Sequence, residues 1–214
     1  MTLDPGQLLL LLTWMSPAFP TGAFAYSHGL EWAIESGQLR SGDDLTVWAG
    51  DLLTRGSGWN DAVLFARCWH DSPDSLNELA LALAASEERA LETIELGRAF
   101  RIAAAVFATP PCTASDIAYP VAAGAGLASL GLDKEAALLA YLQGFAAALT
   151  SVAVRLVPIG QTAGLAALRD LAPVIRAAAC RAATATIDDL GSITLLSDIA
   201  AMKHESQVSR IFRS

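Results

Sequence analysis

AALLAYLQGFAAALTSVAV, residues 136–154, runs for nineteen positions without a charge. A bilayer span needs about 20 apolar residues, so the stretch has to be placed before any fold is assigned. It carries Gln143, Gly144, Thr150 and Ser151, and much of the remainder is alanine, which adds little to insertion. The segment reads as a central helix buried on most sides. Asp133 starts it, and Pro158-Ile159-Gly160 ends it.

The same period recurs on both sides. Leu45, Trp48, Ala49 and Leu52 fall on one helical face, with Asp43, Asp44 and Asp51 elsewhere on the wheel and Ser41 placed to cap. Leu76, Leu79, Ala80 and Leu83 repeat the pattern behind Ser72 or Ser75. Residues 86–107 begin Ser-Glu-Glu-Arg and predict one long helix that ends before Pro110-Pro111. Ser115-Asp116 is expected to open the next helix, where Gly124 and Gly126 allow close backbone approach. A further helix spans about residues 161–182, with a kink expected at Pro173, and Leu195, Ile199 and Met202 mark a last short one. No alternating strand run of useful length and no internal repeat is found. The expectation is an all-α, single-domain bundle of about eight to ten helices, residues 1–202, followed by a C-terminal docking tail, residues 203–214.

Composition agrees. The chain has 214 residues, is 53% hydrophobic and is dominated by alanine and leucine, which is enough for one substantial core. A net charge of −8 argues against nucleic acid and against anionic lipid surfaces. Cys68, Cys112 and Cys180 are odd in number and far apart, so neither a disulfide framework nor a zinc knuckle is indicated and a reducing compartment is expected. The apolar run at residues 8–12 follows Asp4 rather than a basic segment, unlike a secretory signal. Localisation is expected to be cytoplasmic, without membrane residence.

Enzymatic motifs fail one by one. There is no P-loop, no GxSxG, no HExxH and no dinucleotide loop. His28, His70 and His204 are scattered and read as ordinary surface or core histidines. Asp43-Asp44, Glu87-Glu88 and Asp188-Asp189 read as helix caps and solvated faces. No spacing of His, Cys or carboxylate indicates a stable metal site.

Three segments stand apart. SPAFPTGAFAYSHGLE, residues 16–31, fixes a turn with two prolines and Gly22 beside three aromatics. Phe24 and Tyr26 can both plug the core, with Phe24 expected to pack inward, and Tyr26, Ser27 and Glu31 are otherwise candidates to face a partner. RLVPIGQ, residues 155–161, sets Arg155 at a helix C-terminus, where a cation is favourable, and Gln161 after a glycine turn. HESQVSRIFRS, residues 204–214, closes the chain. With Lys203, its arginines oppose only Glu205, so an acidic chain ends in a basic segment with Ile211 and Phe212 between Arg210 and Arg213. Two apolar anchors flanked by guanidinium groups either dock on a partner or fold back on their own domain.

Taken together, these segments resemble the urease accessory protein UreF family. Its pattern pairs S-P-x-x-P-x-G-x-F-x-Y-S-x-G-L-E with R-L-V-P-x-G-Q and closes with H-E-x-Q-x-S-R-(L/I)-F-R-S. The likeness runs the length of the chain in order, and Ala25 and His28 fall at variable places. The resemblance implies an all-helical, nonenzymatic protein with no cofactor of its own. It implies a homodimer that binds the accessory protein UreD or UreH, and a pair that recruits the GTPase UreG and delivers nickel to apo-urease without a stable nickel site here. A GTPase-activating role is left open. The implied partner-binding residues are Tyr26, Ser27, Glu31, Arg155, Gln161, His204, Glu205, Ser209, Arg210, Ile211, Phe212 and Arg213. The tail is expected to be mobile when free and ordered on docking. The alternative is an unrelated all-helical domain that binds an apolar ligand or a membrane surface through residues 136–154.

Overall fold

A computed structural model describes residues 4–109 and 111–213. Pro110, the first of the two prolines, and Ser214, the end of the closing segment, lie outside the described residues. Within them the chain forms ten α-helices and no strand. These are α1 (Pro5–Trp14), α2 (Leu30–Glu35), α3 (Gly42–Arg55), α4 (Ser57–Arg67), α5 (Pro73–Ala82), α6 (Glu87–Ala104), α7 (Tyr119–Ser129), α8 (Lys134–Leu156), α9 (Gly160–Thr184) and α10 (Leu195–His204).

Local chemistry sets most helix starts. Asp4 accepts from Gly6 N and Gln7 N to cap α1, so the apolar run at residues 8–12 is a helix that packs on α8. Ser41 and Asp44 form a reciprocal capping box on α3. Ser86 caps α6 through Arg89 N, and Asp133 caps α8 through Ala136 N. Ser72, not Ser75, precedes α5, but its side chain makes no capping bond.

Three boundaries differ from expectation. The Ser115-Asp116 pair does not open a helix. α7 begins at Tyr119 with Pro120 in its first turn, and the extended chain before it is held by Asn77, which accepts from Ala118 N at 2.7 Å and donates to the Asp116 carbonyl at 2.7 Å. α6 stops at Ala104, several residues before the prolines. Pro173 lies inside α9, which continues through it from Gly160 to Thr184.

The uncharged segment lies in α8, but α8 is a wall of the bundle rather than its axis. Ala137, Leu138, Tyr141, Leu142, Ala146 and Leu149 face inward, while Leu139 is exposed. It is the one described helix long and apolar enough to cross a membrane, and half of its most apolar window is buried inside the fold. Its main partner is α9. The enclosed helices are α4, which touches α3, α5, α7, α8 and α9, and α7, whose residues 120–127 are all buried. Small residues make this possible. A Cβ on Gly124 would stand 2.6 Å from the Phe65 carbonyl oxygen, so α4 and α7 meet backbone to backbone. Trp14, Phe19 and Phe100 fill one end of the core, with Trp14 and Phe100 edge to face at 5.3 Å.

A second, smaller cluster decides the position of the tail. Leu30, Leu39, Leu45, Val152, Ala153, Val157 and Ala167 form an apolar socket between α2, α3, α8 and α9, and Phe212 closes it.

Candidate functional site

The three sequence segments converge on that socket. After Gly22, in the left-handed region at φ 82°, residues 23–25 make a 3-10 turn. Gly29, at φ 74°, then starts α2, and a Cβ there would sit 2.6 Å from Ala201 N, so α10 crosses α2 in direct backbone contact. Ser27, fully buried, takes the Glu31 N–H at 3.3 Å and helps fix the first turn of α2.

Glu31 is 6% exposed and holds the tail. Its Oε1 accepts from Ile211 N and its Oε2 from Phe212 N, both at 2.8 Å. His204, with no exposed surface, lies between two carboxylates. Its Nε2 is 3.2 Å from Glu31 Oε2 and its Nδ1 is 2.7 Å from Glu88 Oε2. The other Glu88 oxygen takes Arg210 Nη1 at 2.5 Å. Glu205 accepts from Glu88 N at 3.3 Å, which places an anion at the positive end of α6. Gln207 bonds Glu35 and the Ser209 carbonyl. Arg213 donates its N–H to the Ala25 carbonyl at 2.8 Å and its Nη1 to Glu95 at 3.0 Å, where Tyr26 also donates at 2.5 Å. Burial, and next the Glu95 contact, push the Tyr26 phenol up to about 12.

Arg155 ties the middle segment to the other two. Its Nη2 donates to the Phe24 carbonyl at 3.1 Å, and its guanidinium covers the Phe212 ring at 4.8 Å. Gln161 stays exposed at the start of α9, outside this network.

Several expectations are corrected. Phe24 is 68% exposed and Tyr26 is 5% exposed, so the tyrosine is the plug. The turn at Gly22 rotates Phe24 outward, and Glu95 satisfies the hydroxyl that Tyr26 brings inward. The tail is not a free segment. It folds back and buries Phe212 to 5% exposure, because Glu31 satisfies two backbone N–H groups that an isolated strand would leave to water. Tyr26, Ser27, Glu31, His204 and Phe212 therefore face their own domain. Of the tail residues, Val208, Ser209, Arg210, Ile211 and Arg213 remain exposed, as does Glu205. Glu88 is not a solvated helix-start acid but an anchor. With Glu95 it lies one heptad apart on α6, a spacing that was visible in the sequence without any hint of what the pair holds.

Sequence reasoning also missed a buried polar group beside the socket. His28, at φ 53°, sets Nε2 3.1 Å from Glu92, whose other oxygen pairs with Arg89. Burial lowers His28 to about 4 and raises Asp61 to about 6, and Tyr141 donates to Asp61 at 3.2 Å. His28, Asp61, Glu92 and Tyr141 line one end of a cavity of about 240 Å³ whose other walls include Met15, Phe24, Leu96 and Phe145. No group of three or more His, Cys, Asp or Glu placed to hold a metal occurs among the described residues.

The described residues form a single-domain all-α body that gathers three distant segments around its C-terminal tail. A family model described as UreF matches residues 39–172. Curated relatives carry the match into both terminal segments. The urease accessory protein UreF of Allorhizobium ampelinum is 49% identical, covering 99% of this chain and 98% of the relative. That of Cereibacter sphaeroides strain KD131 is 49% identical over 97% and 98%. That of Brucella ovis is 45% identical over 100% and 97%. The chain belongs to the UreF family of urease accessory proteins.

Proposed function

We infer that this chain is a nonenzymatic assembly factor in the maturation of apo-urease. It bridges UreD or UreH and the GTPase UreG, works as a homodimer in the cytoplasm, and lets nickel pass through the assembled complex as cargo. The observation that carries this reading is the tail. It is folded against the body, yet it presents Val208, Arg210, Ile211 and Arg213 outward, with Val208 and Ile211 104% and 77% exposed. Exposed apolar side chains between guanidinium groups are poorly explained by folding alone and are suited to a partner with an acidic rim. Phe212 and Glu31 shape that surface from beneath, and Arg155 holds its edge.

The test is capture of UreD or UreH by the full chain and by Ile211→Ala and Arg210→Ala. Loss of capture of about tenfold or more for Ile211→Ala, with the melting temperature unchanged, supports the reading. Undiminished capture by both variants overturns the assignment of this surface. The cavity beside Phe145 favours one second reading, an apolar ligand held against α8. Retention of a small molecule by the purified chain would support it.

A further inference from the structure

The tail is held by a hydrogen-bonded chain that closes only with one proton more than its donors and acceptors otherwise supply. Both oxygens of Glu31 face N–H groups, those of Ile211 and Phe212, so Glu31 is an acceptor at both atoms. His204 Nε2 lies 3.2 Å from Glu31 Oε2 and so also faces an acceptor. On the far side of the ring, Nδ1 faces Glu88 Oε2 at 2.7 Å, while Glu88 Oε1 accepts from Arg210. A neutral imidazole carries a single N–H, so it can donate through Nε2 or through Nδ1 but not through both. An ionised Glu88 also offers only lone pairs. One of the two ring contacts, at 2.7 Å or at 3.2 Å, is therefore left without a proton unless the ring or a carboxylate carries an additional one. Without that proton two acceptors are pressed together in a site that has no exposed histidine surface, the costly arrangement for a buried polar pair.

The charged groups nearest the ring are engaged elsewhere or exposed. From α2, Glu31 is committed to the tail and Glu35 is bonded to Gln207. From α6, Glu88 is the facing group, and Arg210 reaches its opposite oxygen. On α10 and just beyond it, Lys203 and Glu205 are exposed, and Glu205 is occupied by Glu88 N.

We propose that Glu31, His204 and Glu88 form a proton-dependent latch. With the proton in place it holds residues 205–213 against α2 and α6, and loss of the proton as pH rises releases them. The inference rests on the reading of the tail as the docking surface and adds its regulation. The latched chain presents Ile211 and the arginines as one ordered surface, and the released chain does not. Release exchanges one proton, so the ratio of released to latched chain changes by at most about tenfold per pH unit.

Glu88→Gln is the discriminating variant. Its amide N–H can donate to a neutral His204 Nδ1 and its carbonyl can accept from Arg210, so the chain closes without the extra proton. A nitroxide on Ile211→Cys, in a Cys112→Ser, Cys180→Ser background, reports tail mobility in the isolated full-length protein. Cys68 is buried, and burial pushes its thiol up to about 12, so it does not compete for the label. The expected result is an immobilised label at about pH 6. Raising the pH to about 9 should increase its mobile fraction by about tenfold or more, while Glu88→Gln stays immobilised throughout. A label immobile at every pH without the Glu88 change, a label mobile at every pH, or parallel release in both proteins overturns the latch. Capture of UreD or UreH at about pH 6 by the unlabelled chain is the separate check. Its failure removes the docking reading and leaves the spectroscopic result intact.

Discussion

The guanidinium of Arg155 lies over the ring of Phe212, 4.8 Å from its centroid, and the same guanidinium bonds the Phe24 carbonyl. One side chain at the end of α8 thus touches both ends of the molecule's functional surface. Its position at a helix C-terminus is favourable to any cation, but the ring and the carbonyl are what require an arginine, whose flat group can stack and donate at once.

Phe212→Ala should therefore lower stability, not merely partner affinity. Emptying a socket lined by Leu30, Leu39, Leu45 and Val152 should cost about 3–5 kcal/mol. Arg155→Ala should cost about 1 kcal/mol, since the pair is partly solvated. Urea denaturation of both variants measures the difference, and equal midpoints for Phe212→Ala and the parent protein would contradict the socket.

Phe24→Ala and Tyr26→Phe should sort opposite to the expectation from sequence. Phe24 is exposed, so its removal should change stability by no more than about 0.5 kcal/mol. Tyr26→Phe deletes the hydroxyl that Glu95 accepts and should cost about 1 kcal/mol. Thermal melts of the two proteins side by side decide the order.

Gly29→Ala should be severe. It combines a φ of 74° with a Cβ 2.6 Å from the Ala201 backbone nitrogen, and the left-handed conformation alone costs about 1–2 kcal/mol for an L side chain. The clash has backbone on both sides, so relief requires α10 to leave α2. The loss should be well above 2 kcal/mol by denaturation, with the tail released as well.

The buried group beside the cavity gives an acid response with two opposing parts. His28 is lowered to about 4, so as pH falls from its ordinary value of about 6.5 toward 4 the unfolded chain takes up a proton that the folded chain refuses, and stability falls. Asp61 is raised to about 6, so as pH falls from 6 toward its ordinary value of about 4 the folded chain takes up the proton first, and stability rises. The two slopes largely cancel between about pH 4 and pH 6. His28→Gln should leave a protein that gains stability on acidification across that window. Asp61→Asn should leave one that loses it more steeply. Denaturation midpoints at several pH values read both slopes, and unchanged slopes in both variants would refute the assignment.

Much of the architecture follows from the sequence alone. Helical periodicity, the cap at Ser41, the helix starts at Ser86 and Asp133, and the absence of alternating runs determine an all-α chain, because these are short-range effects written in neighbouring residues. The three segments at residues 16–31, 155–161 and 204–214 were also legible as special, since each departs from the surrounding alanine-rich pattern. Their meeting was not. That Glu31 reaches Phe212, that Glu88 reaches His204, and that Tyr26 rather than Phe24 turns inward depend on how α2, α6, α8 and α10 pack. Nothing local distinguishes an anchoring glutamate from a solvated one, or an apolar tail that docks elsewhere from one that finds a socket at home. Tertiary structure decided both, because burial and hydrogen-bond satisfaction are properties of the surroundings a side chain enters and not of the residue itself.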